Sequence, residues 1–129
     1  MNTAILCAGL LALLLMALSL TVSLTRLKES RGFGVGDSKA WISRATRAQG
    51  NAAEYIPLFI LLILILEQEG SPNWADWVYV AAVLVRVSHA AGMLMSSDLD
   101  KVHPLRLIGS AGTYACGFIL SLLVIQGAL

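Results

Sequence analysis

Long apolar runs separated by short polar ones divide the chain into four. The runs extend from Thr3 to Thr25, Ala48 to Leu66, Trp74 to Met95 and Leu105 to Leu129. A helix crossing the hydrocarbon of a bilayer needs about 20 mostly apolar residues, so each run qualifies or nearly qualifies as a span. The pattern predicts helices over residues 3–25, 40–67, 73–96 and 104–128. The expected fold is an all-α integral membrane protein, a four-transmembrane-helix bundle in a single domain over 1–129.

Composition leaves no room for an ordinary soluble domain. Hydrophobic residues make up 57% of the chain, charged residues 13%, and the mean hydropathy is +0.77; a typical soluble domain carries about a quarter charged residues. The first run lacks a basic start and is followed directly by Arg26, Lys28 and Arg31, so it is expected to stay as an anchor rather than leave as a signal peptide. Cys7 and Cys116 lie far apart inside apolar runs, a spacing that suits neither a disulfide framework nor a metal site. Both read as small packing residues. No metal and no nucleic-acid partner are expected.

The positions of the nine basic residues predict orientation. Arg26, Lys28, Arg31, Lys39, Arg44 and Arg47 lie between or at the edges of spans one and two, and Lys101 and Arg106 between spans three and four. The connection "EQEGSPN" has none. By the positive-inside rule, both basic connections face the cytoplasm, and the acidic turn and both termini lie outside. The long connection "RGFGVGDSKAWISRA" has glycines at alternate positions, but no strand precedes it and no lysine and hydroxyl follow in P-loop order. It reads as a flexible loop ending in a helix cap at Asp37 or Ser38, with Trp41 at one membrane interface and Trp74 and Trp77 at the other.

Polar groups inside the spans carry the candidate chemistry. At about 100° per residue, Arg44, Arg47, Asn51 and Glu54 fall within an arc of roughly 80° on the second span, a stripe ill-suited to lipid. Glu54 lies about 10 Å along the axis from Arg47, and Arg86 sits at a comparable depth in the third span. A charge at the bilayer centre costs about 2.5–3.5 kcal/mol on insertion scales. Pairing of Glu54 with Arg86, or a shared watery cavity, would remove most of that cost. His89 is one turn from Arg86; Arg106, Ser110, Thr113 and Tyr114 form a polar face on the fourth span, after Pro104 in its first turn. Together these residues predict a cytoplasm-facing pocket for an anion. The plainer alternatives are arginines 26, 44 and 47 snorkelling to lipid phosphates, a purely structural Glu54–Arg86 pair, a core histidine at 89, and close helix packing through Gly109, Gly112 and Cys116.

The stretch "RAQGNAAEYIPLF" resembles the second-helix signature of the MAPEG superfamily, the membrane-associated proteins in eicosanoid and glutathione metabolism: arginine, asparagine four on, glutamate three further, then an aromatic and proline. "RVSHAAGM" is similar to the third-helix Arg-x-x-His element of the glutathione-dependent prostaglandin synthase branch, and "HPLRLIGSAGTY" to the start of the fourth helix. The chain looks most like the short bacterial members. The resemblance implies a bacterial inner-membrane homotrimer that binds glutathione or a related thiol between subunits and acts as a transferase or peroxidase on a lipophilic substrate from membrane lipid. It implies Arg26 reaching in from the adjacent subunit, Arg47, Asn51, Glu54, Arg86 and His89 around the ligand, and Arg106 as the catalytic residue beside the thiol; by helical spacing, Ser110 one turn and Tyr114 two turns beyond Arg106 are candidates to offer a hydroxyl to the sulfur. Three positions depart from the prostaglandin synthase pattern: Leu107 stands where that branch has serine, Met93 where it has tyrosine, and Gly50 replaces the basic residue before the asparagine.

Two other classes fit the outline. A small proton-coupled multidrug exporter has four spans and an intramembrane glutamate, but on its first helix, whereas Glu54 is on the second. A non-catalytic membrane scaffold would use the polar cluster only to set helix packing.

Overall fold

The computed structural model describes residues 2–30, 32, 34 and 36–129. Arg31, Phe33 and Val35 of the glycine-rich connection lie outside them. The described chain forms four helices, α1 (Thr3–Lys28), α2 (Trp41–Glu69), α3 (Ala75–Met95) and α4 (Pro104–Gly127), each long and apolar enough to cross a membrane. α1 starts where the Asn2 side chain accepts the Ile5 backbone N–H at 2.9 Å, satisfying one of the orphan donors of a helix start. α2 stops at Gly70, whose φ of 84° is left-handed and therefore cheap only for glycine. Pro104 opens α4 in its first turn, where its missing N–H costs nothing.

The cap expected at Asp37 or Ser38 is not formed. The residue before α2 is Ala40, which has no side-chain acceptor. Asp37 instead closes a turn just ahead, its carboxylate accepting the Lys39 N–H at 2.9 Å. The Ser38 hydroxyl donates across to the Asp98 carboxylate at 3.2 Å and so ties the α1–α2 connection to the α3–α4 turn. The Asp100 backbone N–H, helped by Ser38 and by Lys39 and Lys101, holds the Asp98 carboxyl below the usual carboxylate range.

The helices run up and down. Asn2 donates to Glu67, joining the start of α1 to the end of α2, and the Trp41 indole donates to Thr25, joining the other two ends. α3 and α4 share the broadest contact, followed by α1 and α2, while α1 and α4 do not meet. α2 and α3 are thus the middle of the molecule, with the other two helices as flanks. Leu11, Ala52, Ile56, Ile63, Tyr79, Ala82 and Leu120 are fully buried between them. On the outside, Leu13, Met16, Leu84, Phe118 and Leu122 are each more than 60% exposed. Apolar residues exposed in such number suit lipid or neighbouring chains, not water.

The closeness of α3 and α4 depends on small residues. A Cβ at Gly109 would fall 2.5–2.6 Å from the backbone and Cβ of His89, and one at Gly92 would strike the Arg106 backbone. This is the close packing expected for Gly109, and Gly92 supplies its counterpart on α3. Gly109→Val is expected to force the two helices apart at a cost of about 1–3 kcal/mol or more, read as a lower unfolding midpoint in detergent. Gly9→Ala, where a Cβ meets nothing within 4 Å, serves as the control. A Gly109→Val protein that melts with wild type would disprove the role of the close approach.

Candidate functional site

At the pole where α2 and α4 begin and α3 ends, the chain opens into a cleft of about 490 Å³. α2 contributes Arg47, Asn51 and Glu54; α3 contributes His89 and Met93; α4 contributes Arg106 and Ser110; Val102 closes the side toward the α3–α4 turn. The stripe on α2 and the polar face of α4 therefore converge, although α2 and α4 are far apart in sequence. Gly50 lines the same wall and leaves room where a long side chain would fill it.

Behind the cleft lies Arg86, 1% exposed and the largest fully buried side chain among the described residues. Its guanidinium donates to the Asn51 carbonyl oxygen at 2.9 Å and to the Thr113 hydroxyl at 3.2 Å. Thr113 in turn donates to the Gly109 carbonyl at 2.7 Å. The guanidinium carbon sits 5.4 Å from the centroid of the Tyr55 ring, within cation–π reach. One buried cation thus links α2, α3 and α4, while its Nε has no partner.

The direct pairing of Glu54 with Arg86 does not form. Asn51, one turn before Glu54, takes the guanidinium instead, and Glu54 stays exposed on the cleft wall without a bonded partner among the described residues. Nor do the two share a cavity: Glu54 lines the open cleft, and Arg86 lines a small chamber behind it. Because Asn51 presents its carbonyl oxygen to Arg86, its NH₂ group is left to donate elsewhere.

Arg106 is half-buried at the cleft mouth and donates to the Leu99 carbonyl at 2.7 Å. A fork with several N–H groups keeps further donors for a ligand. His89 is 6% exposed, and its Nδ1 is buried with no partner. Ser110 lies on the cleft wall one turn beyond Arg106.

Like Arg86, three further expected residues lie outside the cleft within the protomer. Arg26 donates to the Gly32 carbonyl at 3.2 Å, outside the cleft. Arg44 donates to the Leu94 and Ser96 carbonyls at 3.1 and 2.7 Å, satisfying open acceptors at the end of α3, and packs over Trp41 at 5.4 Å. Tyr114 does not line the cleft; it faces Tyr55, with hydroxyls 3.4 Å apart. Tyr55, the aromatic of the second-helix signature, is not among the residues expected at the site. Its signal was an aromatic one turn beyond Asn51 on the polar stripe.

A four-span membrane protein with an arginine-flanked, single-carboxylate cleft at its basic pole is the class these features define. The chain belongs to the MAPEG family, whose profile matches residues 4–126. It is 37% identical over 88 residues to the Inner membrane protein YecN of Escherichia coli (strain K12), and equally to that of Escherichia coli O6:H1. The match spans 68% of this chain and 62% of each relative, less than two thirds of their length. The protein is integral to the membrane.

Replacing Arg86 by methionine is expected to lower stability by about 1–3 kcal/mol, because it leaves Asn51 and Thr113 without the donors they face. Thermal unfolding in detergent checks this. A Glu54→Gln protein should unfold close to wild type, since Glu54 has no bonded partner among the described residues; equal losses for both would return Glu54 to a structural role.

Proposed function

We propose that the cleft binds glutathione or a closely related anionic thiol, and that the protein adds this thiol to, or uses it to reduce, a lipophilic substrate drawn from the bilayer. The observation that carries the reading is the convergence of Arg47, Asn51, Glu54, His89, Arg106 and Ser110 on one open cleft. Cations and uncharged donors there outnumber the single carboxylate, as a ligand with two carboxylates and one ammonium requires. Arg47 and the free NH₂ of Asn51 suit carboxylate groups, and Glu54 suits the ammonium.

Arg106 is the proposed catalytic residue. A positive charge beside the sulfur favours the thiolate, which is the nucleophile. Ser110, one turn further, offers a hydroxyl to the same atom. Leu107 and Met93 supply no hydroxyl of their own, so the activation rests on Arg106 and its neighbours.

The cleft is open, and a neighbouring copy would complete it. In the proposed homotrimer, Arg26 of one protomer reaches the cleft of the next, and the exposed apolar flanks meet each other or lipid. The distribution of basic residues supports a cytoplasmic opening, in an inner membrane like that of the Escherichia coli relatives. The water-soluble thiol then enters from the cytosol while the apolar substrate partitions into lipid, and the site brings the two together.

Calorimetry with detergent-purified protein should show glutathione binding, together with thiolate absorbance in an ultraviolet difference spectrum. Arg106→Ala should remove the thiolate signal and keep the assembly, and Glu54→Gln should weaken binding about 10- to 100-fold through the loss of a charge-assisted hydrogen bond. Absence of binding at millimolar glutathione would sink the reading.

A further inference from the structure

The pole opposite the cleft, where α2 and α4 end and α3 begins, holds a second hollow of about 370 Å³. Glu69, Ser71, Trp74 and Gln126 form its polar rim, with Leu66 and Leu123 beside them. Glu69, Leu66 and Leu123 also line a groove of about 260 Å³ that continues between the ends of α2 and α4 along Ile65 and Val124. A polar rim thus opens directly into an apolar slot.

This pole carries carboxylates and no basic side chain. No lysine, arginine or histidine occurs before Arg26, between Arg47 and Arg86, or after Arg106, and neither α2 nor α4 has a basic residue in its last turn. Both helices therefore bring the negative ends of their dipoles to the hollow uncompensated. Two nearby carboxylates are engaged within the chain. Glu67 accepts from the Asn2 amide at 2.6 Å, and Asp76 lies in the first turn of α3, where the positive helix end favours it. Glu69 has no bonded partner among the described residues and lines both the hollow and the groove. A carboxylate set between two helix C-termini attracts a cation.

Donors face the same hollow. Tyr79, fully buried, donates to the Ser71 hydroxyl at 2.9 Å, which leaves the Ser71 hydrogen for another acceptor. The Gln126 amide and the Trp74 indole have no bonded partners among the described residues. Acceptors for a cation and donors for an anion lie together, and an apolar slot leads away from both.

We propose that this hollow holds the headgroup of an ethanolamine phospholipid. Its ammonium meets Glu69 and the helix ends, its phosphate meets Ser71, Trp74 and Gln126, and one acyl chain lies along the Leu66–Val124 groove. The proposal is independent of the thiol reading of the cleft. A primary ammonium has hydrogens for a carboxylate and for open carbonyls. A choline headgroup has none and is held best by several aromatic faces, whereas Trp74 is the one aromatic among the described residues lining the hollow. A glycerol headgroup leaves the lipid with a net negative charge, which Glu69 repels. A second copy of the chain, set alongside at the same depth, presents the same pole and so brings no basic side chain to Glu69.

The test titrates full-length protein in detergent with phosphatidylethanolamine, phosphatidylcholine and phosphatidylglycerol of identical acyl chains, counting bound lipid by native mass spectrometry. The ethanolamine lipid should bind about 10-fold more tightly than the other two, the worth of one charge-assisted hydrogen bond. Glu69→Gln should erase that preference while unfolding close to wild type. Glu67→Gln, at a carboxylate already engaged by Asn2, should keep it. Leu123→Trp, which fills the groove, should weaken binding of all three lipids. Equal affinities for the three lipids, or a preference that survives Glu69→Gln, overturns the proposal. Unchanged lipid binding with disrupted assembly in Leu123→Trp would assign the groove to a second copy and also overturn it.

Discussion

The guanidinium of Arg86 is the point on which the polar interior depends. A charge buried in a membrane bundle must be satisfied by fixed groups, because neither water nor lipid will do it. Here the satisfaction is shared: an amide oxygen from α2, a hydroxyl from α4 and an aromatic face from α2. Each of those groups is held in turn. Thr113 is oriented by its bond to Gly109, and Asn51 has its amide direction set by the cation. The same arrangement leaves Glu54 without a bonded partner among the described residues, which is why it is proposed for the ligand's ammonium.

The close approach of α3 and α4 makes that arrangement possible. Gly92 and Gly109 let the backbones come near enough for α4 to set Thr113 against a residue of α3. The same contact places Arg106 and His89 on neighbouring walls of the cleft. Arg44 and the Ser38–Asp98 bond act at the pole, tying the start of α2 and the preceding loop to the α3–α4 turn. Small residues deep in the bundle and polar ties at its end therefore position the site from two directions.

The proposed chemistry follows from the gradient through the molecule. Charge lies at the basic pole, the buried Arg86 cation in the middle, and apolar side chains along the outer faces. An anionic thiol and an apolar electrophile do not share a solvent, and a site spanning that gradient offers each its own approach.

The number of spans, their approximate limits and the polar face of α2 were all legible in the sequence. These are local properties: twenty apolar residues read as a span wherever they occur, and helical periodicity puts residues 47, 51 and 54 on one side without reference to any other helix. The family signature on α2 added a likeness for the site. Partner choice was not legible. Glu54 and Arg86 share depth and face, yet one turn of helix decided that Asn51 receives the guanidinium. Arg44 shares the stripe but reaches the end of α3, and Tyr114 shares the face of Arg106 but turns to Tyr55. Periodicity fixes a side chain's direction to within tens of degrees, whereas a hydrogen bond is decided within tenths of an ångström. Only the packing of α2, α3 and α4, through glycines whose role depends on what lies opposite, resolved that difference.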